Sequence, residues 1–413
     1  MNKRIIFIIT AITLFITCKN TRTNSNTTVQ TDSLEVVNTF SVPDNAVPIV
    51  YRGHIYIPSE IDSIQGNILF DSGASGGLYL DSTFFANNPF RKFNFLNGYL
   101  PGAGSGKPQK VNIITDTVSY KFNNYEKNIS FIPIFLLKPI LGDFADGILG
   151  LQYFKVLEIN YLHEYIILHD KINTVNTSEY VKIKMKKENN QFLLPVSIQI
   201  NNDISINEYF LLDLGSGGSI SLTSTTSGKY KLHENITEKV QYFTKYGGVS
   251  GESSSCDFRA NSIKIGDYKL EDVVMDYSED KSGSLSNSYY AGLVGNELLE
   301  KFDVIIDFVN NDLYLKPNQN FDKPFNFGKR SFGYVDRSIT MNAWIVTGLY
   351  KNRNAEIAGL KIDDKIISVN GIDIHKIPYK EQMDFWKKTD KVTLTVLRNN
   401  EEKIIEFDLK YVL

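Results

Sequence analysis

Two aspartates carry the most chemistry in this chain of 413 residues. Asp71 sits in ILFDSGASGGLYL and Asp213 sits in FLLDLGSGGSISL. In each, an apolar run ends in Asp-x-Gly, small residues follow, and a second apolar run begins. A carboxylate at a tight turn between buried strands is costly unless something uses it. Two carboxylates from matching settings can share one proton and activate one water.

The elements that position them are themselves repeated, which points to a duplicated domain. After Asp71 comes the glycine-rich LPGAGSGK, and after Asp213 comes KYGGVSGES. Further on, DGILGLQYFKVLEINYLHEYIIL is matched by AGLVGNELLEKFDVIIDFVNNDLYL. Asp71 to Gly150 and Asp213 to Gly295 are near-equal spans. One Asp-x-Gly is a common turn, but three landmarks in one order exclude coincidence as the simpler account.

Composition sets the fold class. Aromatics make up 12% of the chain, with 23 Tyr and 26 Phe. Short apolar runs broken by Asn, Gly, Asp and Ser predict a mostly β protein. ISFIPIFL, YIIL, FLLPVSIQI, DVIIDFV and DLYL read as strands, and GNELLEKF at 295–302 reads as a short helix. The net charge of −3 gives no basic footprint for nucleic acid. The five histidines show no ligand spacing, so no metal and no cofactor is expected.

Other motifs weaken on inspection. Gly73-Ala74-Ser75-Gly76-Gly77 fits G-x-S-x-G, but a strand-like LYLD follows where a nucleophile elbow needs a helix. GAGSGK at 102–107 is one residue short of a phosphate loop, and Pro108 replaces the required hydroxyl. His163-Glu164 with His169 has the wrong step for a zinc helix. Cys256 has no histidine near it in sequence and reads as a structural residue.

The N-terminus, MNKRIIFIITAITLFITCKN, has Lys3 and Arg4 before an apolar run from Ile5 to Ile16. That reads as a secretion signal over residues 1–17. The cysteine after it resembles a bacterial lipoprotein processing site. The resemblance implies lipid on Cys18, a polar tether over residues 18–45, and an exported, membrane-anchored protein facing the periplasm or the cell surface.

The doubled Asp-x-Gly with its later apolar-apolar-Gly resembles the aspartic proteases of the pepsin and retropepsin type. The resemblance spans roughly residues 46–318. It implies two homologous β lobes, at 46–178 and 179–320, with a peptide or protein substrate in the cleft between them. Asp71 and Asp213 are then the catalytic pair, with Ser72, Gly73, Gly215 and Ser216 in support. The glycine-rich segments fall where a flap lies, with Tyr99, Gly102 and Gly104 as flap residues. The chain departs from the family at Leu214, where a Ser or Thr normally braces the pair. A hydroxyl on Ser216 donating to its own aspartate would make Asp213 the more acidic partner and Asp71 the proton holder.

Residues 325–413 resemble a PDZ domain through NAEIAGLKIDDKIISVNGID. Phe332, Gly333 and Tyr334 look like the loop that captures a peptide's C-terminal carboxylate, so a peptide end or a partner protein is implied there. The leading expectation is an aspartic endopeptidase with a PDZ module. The alternatives are a non-catalytic peptide-binding lipoprotein with a degenerate cleft, and a scaffold in which the PDZ does the only work.

Overall fold

Alternating buried and exposed side chains make strands along most of the chain. In Lys391–Arg398 the side chains of Val392, Leu394 and Val396 are buried and Lys391 faces solvent, the period of two that a half-covered sheet demands. The runs before the two aspartates differ. Ile68, Leu69 and Phe70, and likewise Phe210, Leu211 and Leu212, are buried without alternation, because each strand lies inside its sheet with a parallel neighbour.

The computed structural model describes residues 41–74 and 76–413. The signal segment, Cys18, most of the tether and Ser75 lie outside the described residues. Among the described residues the protein is mostly β, and no helix is long and apolar enough to cross a membrane.

The repeat recurs as topology. The strand Ile64–Asp71 pairs in parallel with Gly147–Gly150, which pairs antiparallel with Leu78–Asp81. The strand Ser205–Leu212 pairs in parallel with Gly292–Val294, which pairs antiparallel with Ile220–Leu222. Both post-aspartate strands then run parallel to a later strand, Ile132–Phe135 in the first half and Tyr268–Ser278 in the second. Each aspartate strand therefore sits beside its own apolar-apolar-Gly strand, which explains the recurrence of both signatures.

The halves are joined beneath by a sheet with strands from both. Val156–Asn160 pairs with Phe302–Asp307, placing Val156 opposite Asp307. One hydrophobic core runs through both halves, including Phe70, Phe210, Leu214 and Phe302. The C-terminal unit has its own core around Phe332, Trp344, Val369 and Trp386. It continues the second half's sheet: Lys239–Gly248 pairs with Ala343–Tyr350.

Local expectations meet their reasons here. Asn370 and Gly371 both have positive φ, as do Asn399 and Asn400, giving the tight hairpins expected at both places. The helix expected over 295–302 is only Asn296–Leu299, because Phe302 already begins a strand. His169 lies on the strand Tyr165–His169, with Nε2 2.8 Å from Glu158 Oε2.

Candidate active site

Asp71 ends the strand Ile64–Asp71, and Asp213 directly follows the strand Ser205–Leu212. The two turns face one another, so that both carboxyls crowd the Gly73 position and each acts on the other's charge. A Cβ on Gly73 would stand 2.8 Å from Asp213 Oδ1 and 3.1 Å from Asp71 Oδ1. On Gly215 it would stand 2.5 Å from Asp71 Cγ. No side chain fits at either position, so both glycines are required by the close approach of the carboxyls.

Ser72 ties the turns together. Its hydroxyl donates to the Leu212 carbonyl at 2.7 Å and accepts from the Leu214 N–H at 2.9 Å. Leu214 cannot return the bond and is fully buried in the core. The second turn is braced instead by Asn296, a fully buried residue that sequence reasoning overlooked. Its Nδ2 donates to the carbonyls of Leu214 at 2.8 Å and Ser216 at 3.0 Å. Its Oδ1 accepts from the Tyr161 hydroxyl at 2.9 Å. The signal was present, since Asn296 follows Gly295 in the second apolar-apolar-Gly copy.

The charges are arranged opposite to the sequence-based expectation. Burial pushes both carboxyls up, and Asp213 goes well above the ordinary carboxyl range, raised further by the Asp71 charge. Asp71 Oδ1 accepts N–H bonds from Gly73 at 2.7 Å and Ala74 at 3.0 Å, which favour its charged form. Asp213 Oδ1 accepts from Gly215 at 2.9 Å. The Ser216 N–H goes to the Asp213 backbone carbonyl at 3.1 Å, so it adds no close bond to the carboxyl. This arrangement favours the charge on Asp71 and the proton on Asp213.

His54, in the turn Arg52–His54 before the strand Ile55–Ile61, also reaches this site. Its ring lies by the Gly215 backbone, and burial holds it neutral by lowering its pKa to about 4. A lone His in YRGHIY carries no sequence signal for that position.

Two hairpins meet at their tips. Phe95–Leu100 with Gln109–Ile114 forms one, and Lys239–Gly248 with Gly251–Ile265 forms the other. Their tips are joined by backbone bonds: Ser250 N–H to the Ala103 carbonyl, Gly106 N–H to the Ser250 carbonyl, and Ser105 N–H to the Glu252 carbonyl, each at 2.7 Å. Gly102 and Gly104 are at this junction. Tyr99 lies back from the junction on the strand Phe95–Leu100 and is 74% exposed.

At the C-terminal unit, Phe332–Gly333–Tyr334 is not a free loop. Phe332 begins the strand Phe332–Arg337 and is paired opposite Leu349. Tyr334 stacks on Trp344 at 4.7 Å, and its hydroxyl donates to Gln382 at 2.7 Å and accepts from Trp386 at 2.9 Å. The Arg330 guanidinium covers the Tyr334 ring at 4.6 Å. Arg330, Phe332, Gly333, Tyr334, Gln382 and Trp386 line a cavity of about 910 Å³ together with His54 and Tyr56.

The PDZ domain family matches residues 323–397. This stretch is a PDZ domain. Among solved structures the chain is similar to basic 7S globulin from soybean, with 10% identity and a TM-score of 0.39, over 68% of this chain and 96% of that one. No curated protein matches the sequence. The PDZ domain shares its sheet with the second hairpin, pairing directly with its first strand.

Proposed function

We propose that the chain is an exported aspartic endopeptidase with a built-in PDZ docking module. The observation that carries this reading is the apposition of Asp71 and Asp213, part-buried in two facing turns that Ser72 ties together. A binding cleft gains little from two apposed carboxyls, one of which must stay protonated.

In this mechanism, Asp71 takes a proton from a bound water. Asp213 donates its proton to the scissile carbonyl as the water attacks. The resulting tetrahedral intermediate collapses with the proton passed to the leaving amine. The pair needs no covalent intermediate, and the joined hairpins exclude bulk water once they close over the peptide. The PDZ domain supplies a peptide or protein contact. Export and a lipid anchor at Cys18 are part of the proposal and rest on the N-terminal sequence alone.

Leu214 favours a second reading, a non-catalytic peptide-binding lipoprotein that retains the cleft. One comparison separates the two. The mature chain, Asp71→Asn and Asp213→Asn are incubated with a mixed peptide library from mildly acidic to neutral pH. Cleavage by the unmodified chain alone supports the enzyme. Equal cleavage by all three overturns it, and binding without cleavage by any supports the second reading.

A further inference from the structure

Outside the aspartate pair, the fold assembles a second group of ligating side chains that the sequence scatters. His233 comes from the short helix Leu232–Asn235, Cys256 from the strand Gly251–Ile265, and Glu279 from the residue after Tyr268–Ser278. We propose that His233, Cys256 and Glu279 form a binding site for a divalent transition-metal ion of the zinc class.

The separations suit one ion. Cys256 Sγ is 3.6 Å from Glu279 Oε1, and His233 Nδ1 is 3.8 Å from the same oxygen. The three ligand atoms all lie within 4.8 Å of one another. Tetrahedral zinc with bonds of about 2.0–2.3 Å places N, O and S ligands roughly 3.3–3.6 Å apart. A small side-chain rotation of His233, which is 71% exposed, closes the remaining gap.

The surroundings are arranged as outer partners of a metal ligand. Glu279 Oε2 accepts from Gln241 Nε2 at 2.6 Å and from Ser254 Oγ at 2.7 Å. Both bonds fix the carboxylate with Oε1 aimed at Cys256 and His233. The Tyr277 hydroxyl is 3.3 Å from His233 Nδ1 and touches Cys256. The nearby cation, Lys239, is engaged by the His233 carbonyl at 2.8 Å and by the Ile236 carbonyl. The thiol is buried and the imidazole is open to solvent, which leaves an entry path and a fourth position for water. A bound ion would staple the helix Leu232–Asn235 to the second hairpin.

Cobalt(II) is the probe, titrated into the chelator-treated full chain. The expected result is one equivalent bound, with a thiolate-to-cobalt charge-transfer band and the strong visible absorption of a tetrahedral site. Cys256→Ser loses the charge-transfer band. His233→Gln, at an exposed position that leaves the fold intact, weakens binding at least about tenfold, and Gln241→Ala weakens it about 10–100-fold with the band retained. Absence of saturable binding, or identical cobalt spectra for the unmodified chain and a folded Cys256→Ser, would overturn the proposal.

Discussion

At the residue scale, the account turns on two carboxyls made unequal by backbone donors. Asp71 has two N–H groups at close range, and Asp213 is raised by burial and by its neighbour's charge. Activity on the proposed reading needs one proton on the pair. It is lost at low pH as Asp71 is protonated and at high pH as Asp213 ionises. Because both are raised, each limb of the pH–rate curve is expected above the position of an ordinary carboxyl, with the alkaline limb the more displaced. A rate measurement across pH checks this. Ser72→Ala leaves the buried Leu214 N–H and Leu212 carbonyl unbridged. The expected cost is about 1–3 kcal/mol in urea unfolding, together with a fall in kcat. The pair and its glycines were legible in the sequence because Asp-x-Gly needs its side-chain types. The proton's location was not, since it depends on backbone N–H groups that every residue carries. Asn296 was missed for a related reason: its role exists only once Gly295 and Leu214 are neighbours.

At the element scale, the hairpin tips and an acidic group around the strand Tyr268–Ser278 make separate predictions. Gly104 has φ +100, and a Cβ there would lie 2.7 Å from the Gly251 carbonyl. Gly104→Ala is expected to part the tips. Amide exchange at Ser250 and Gly106 should quicken, while the cores keep their protection. Both glycine-rich segments were readable as hairpin tips; their union was not, because the tips carry no side-chain signal for each other. Below them, Asp257 lies opposite Asp276 on paired strands. Burial pushes Asp257 up to about 6, Asp276 to about 8 and Glu297 to about 7, from ordinary values of 3.8, 3.8 and 4.5. Through the window from about 4 to about 8 the folded chain holds protons the unfolded chain has released. Stability is therefore greatest at the acid end and falls as pH rises. Asp276→Asn should raise the melting temperature near pH 8 and flatten the fall, an effect of the order of a few kcal/mol at about 1.4 kcal/mol per pKa unit.

At the scale of the whole molecule, the PDZ domain is an integral part of the architecture. Tyr242, Phe243 and Thr244 of the second hairpin pair with Tyr350, Leu349 and Gly348. Asp143 of the first half accepts from Arg337 Nε at 3.0 Å and Thr340 N–H at 2.8 Å, and its own N–H donates to the Asp336 carbonyl at 2.7 Å. Asp143→Ala leaves the Arg337 charge without its carboxylate, a loss of about 3–5 kcal/mol for a buried pair. Calorimetry should then resolve an early PDZ transition from the melting of the two halves. The PDZ unit could be read from NAEIAGLKIDDKIISVNGID, but its fusion to the hairpin could not. A strand edge's partner a hundred residues away leaves no periodic trace in either segment.

The claim beneath all three scales is that Asp71 and Asp213 share a proton. The direct measurement is a carboxyl titration by NMR on the chain carrying 13C-labelled aspartate, with Asp71→Asn and Asp213→Asn for assignment. Two widely separated apparent values are predicted for the pair, with each substitution moving the remaining carboxyl. Two independent titrations in the ordinary aspartate range, unmoved by either substitution, would contradict the account.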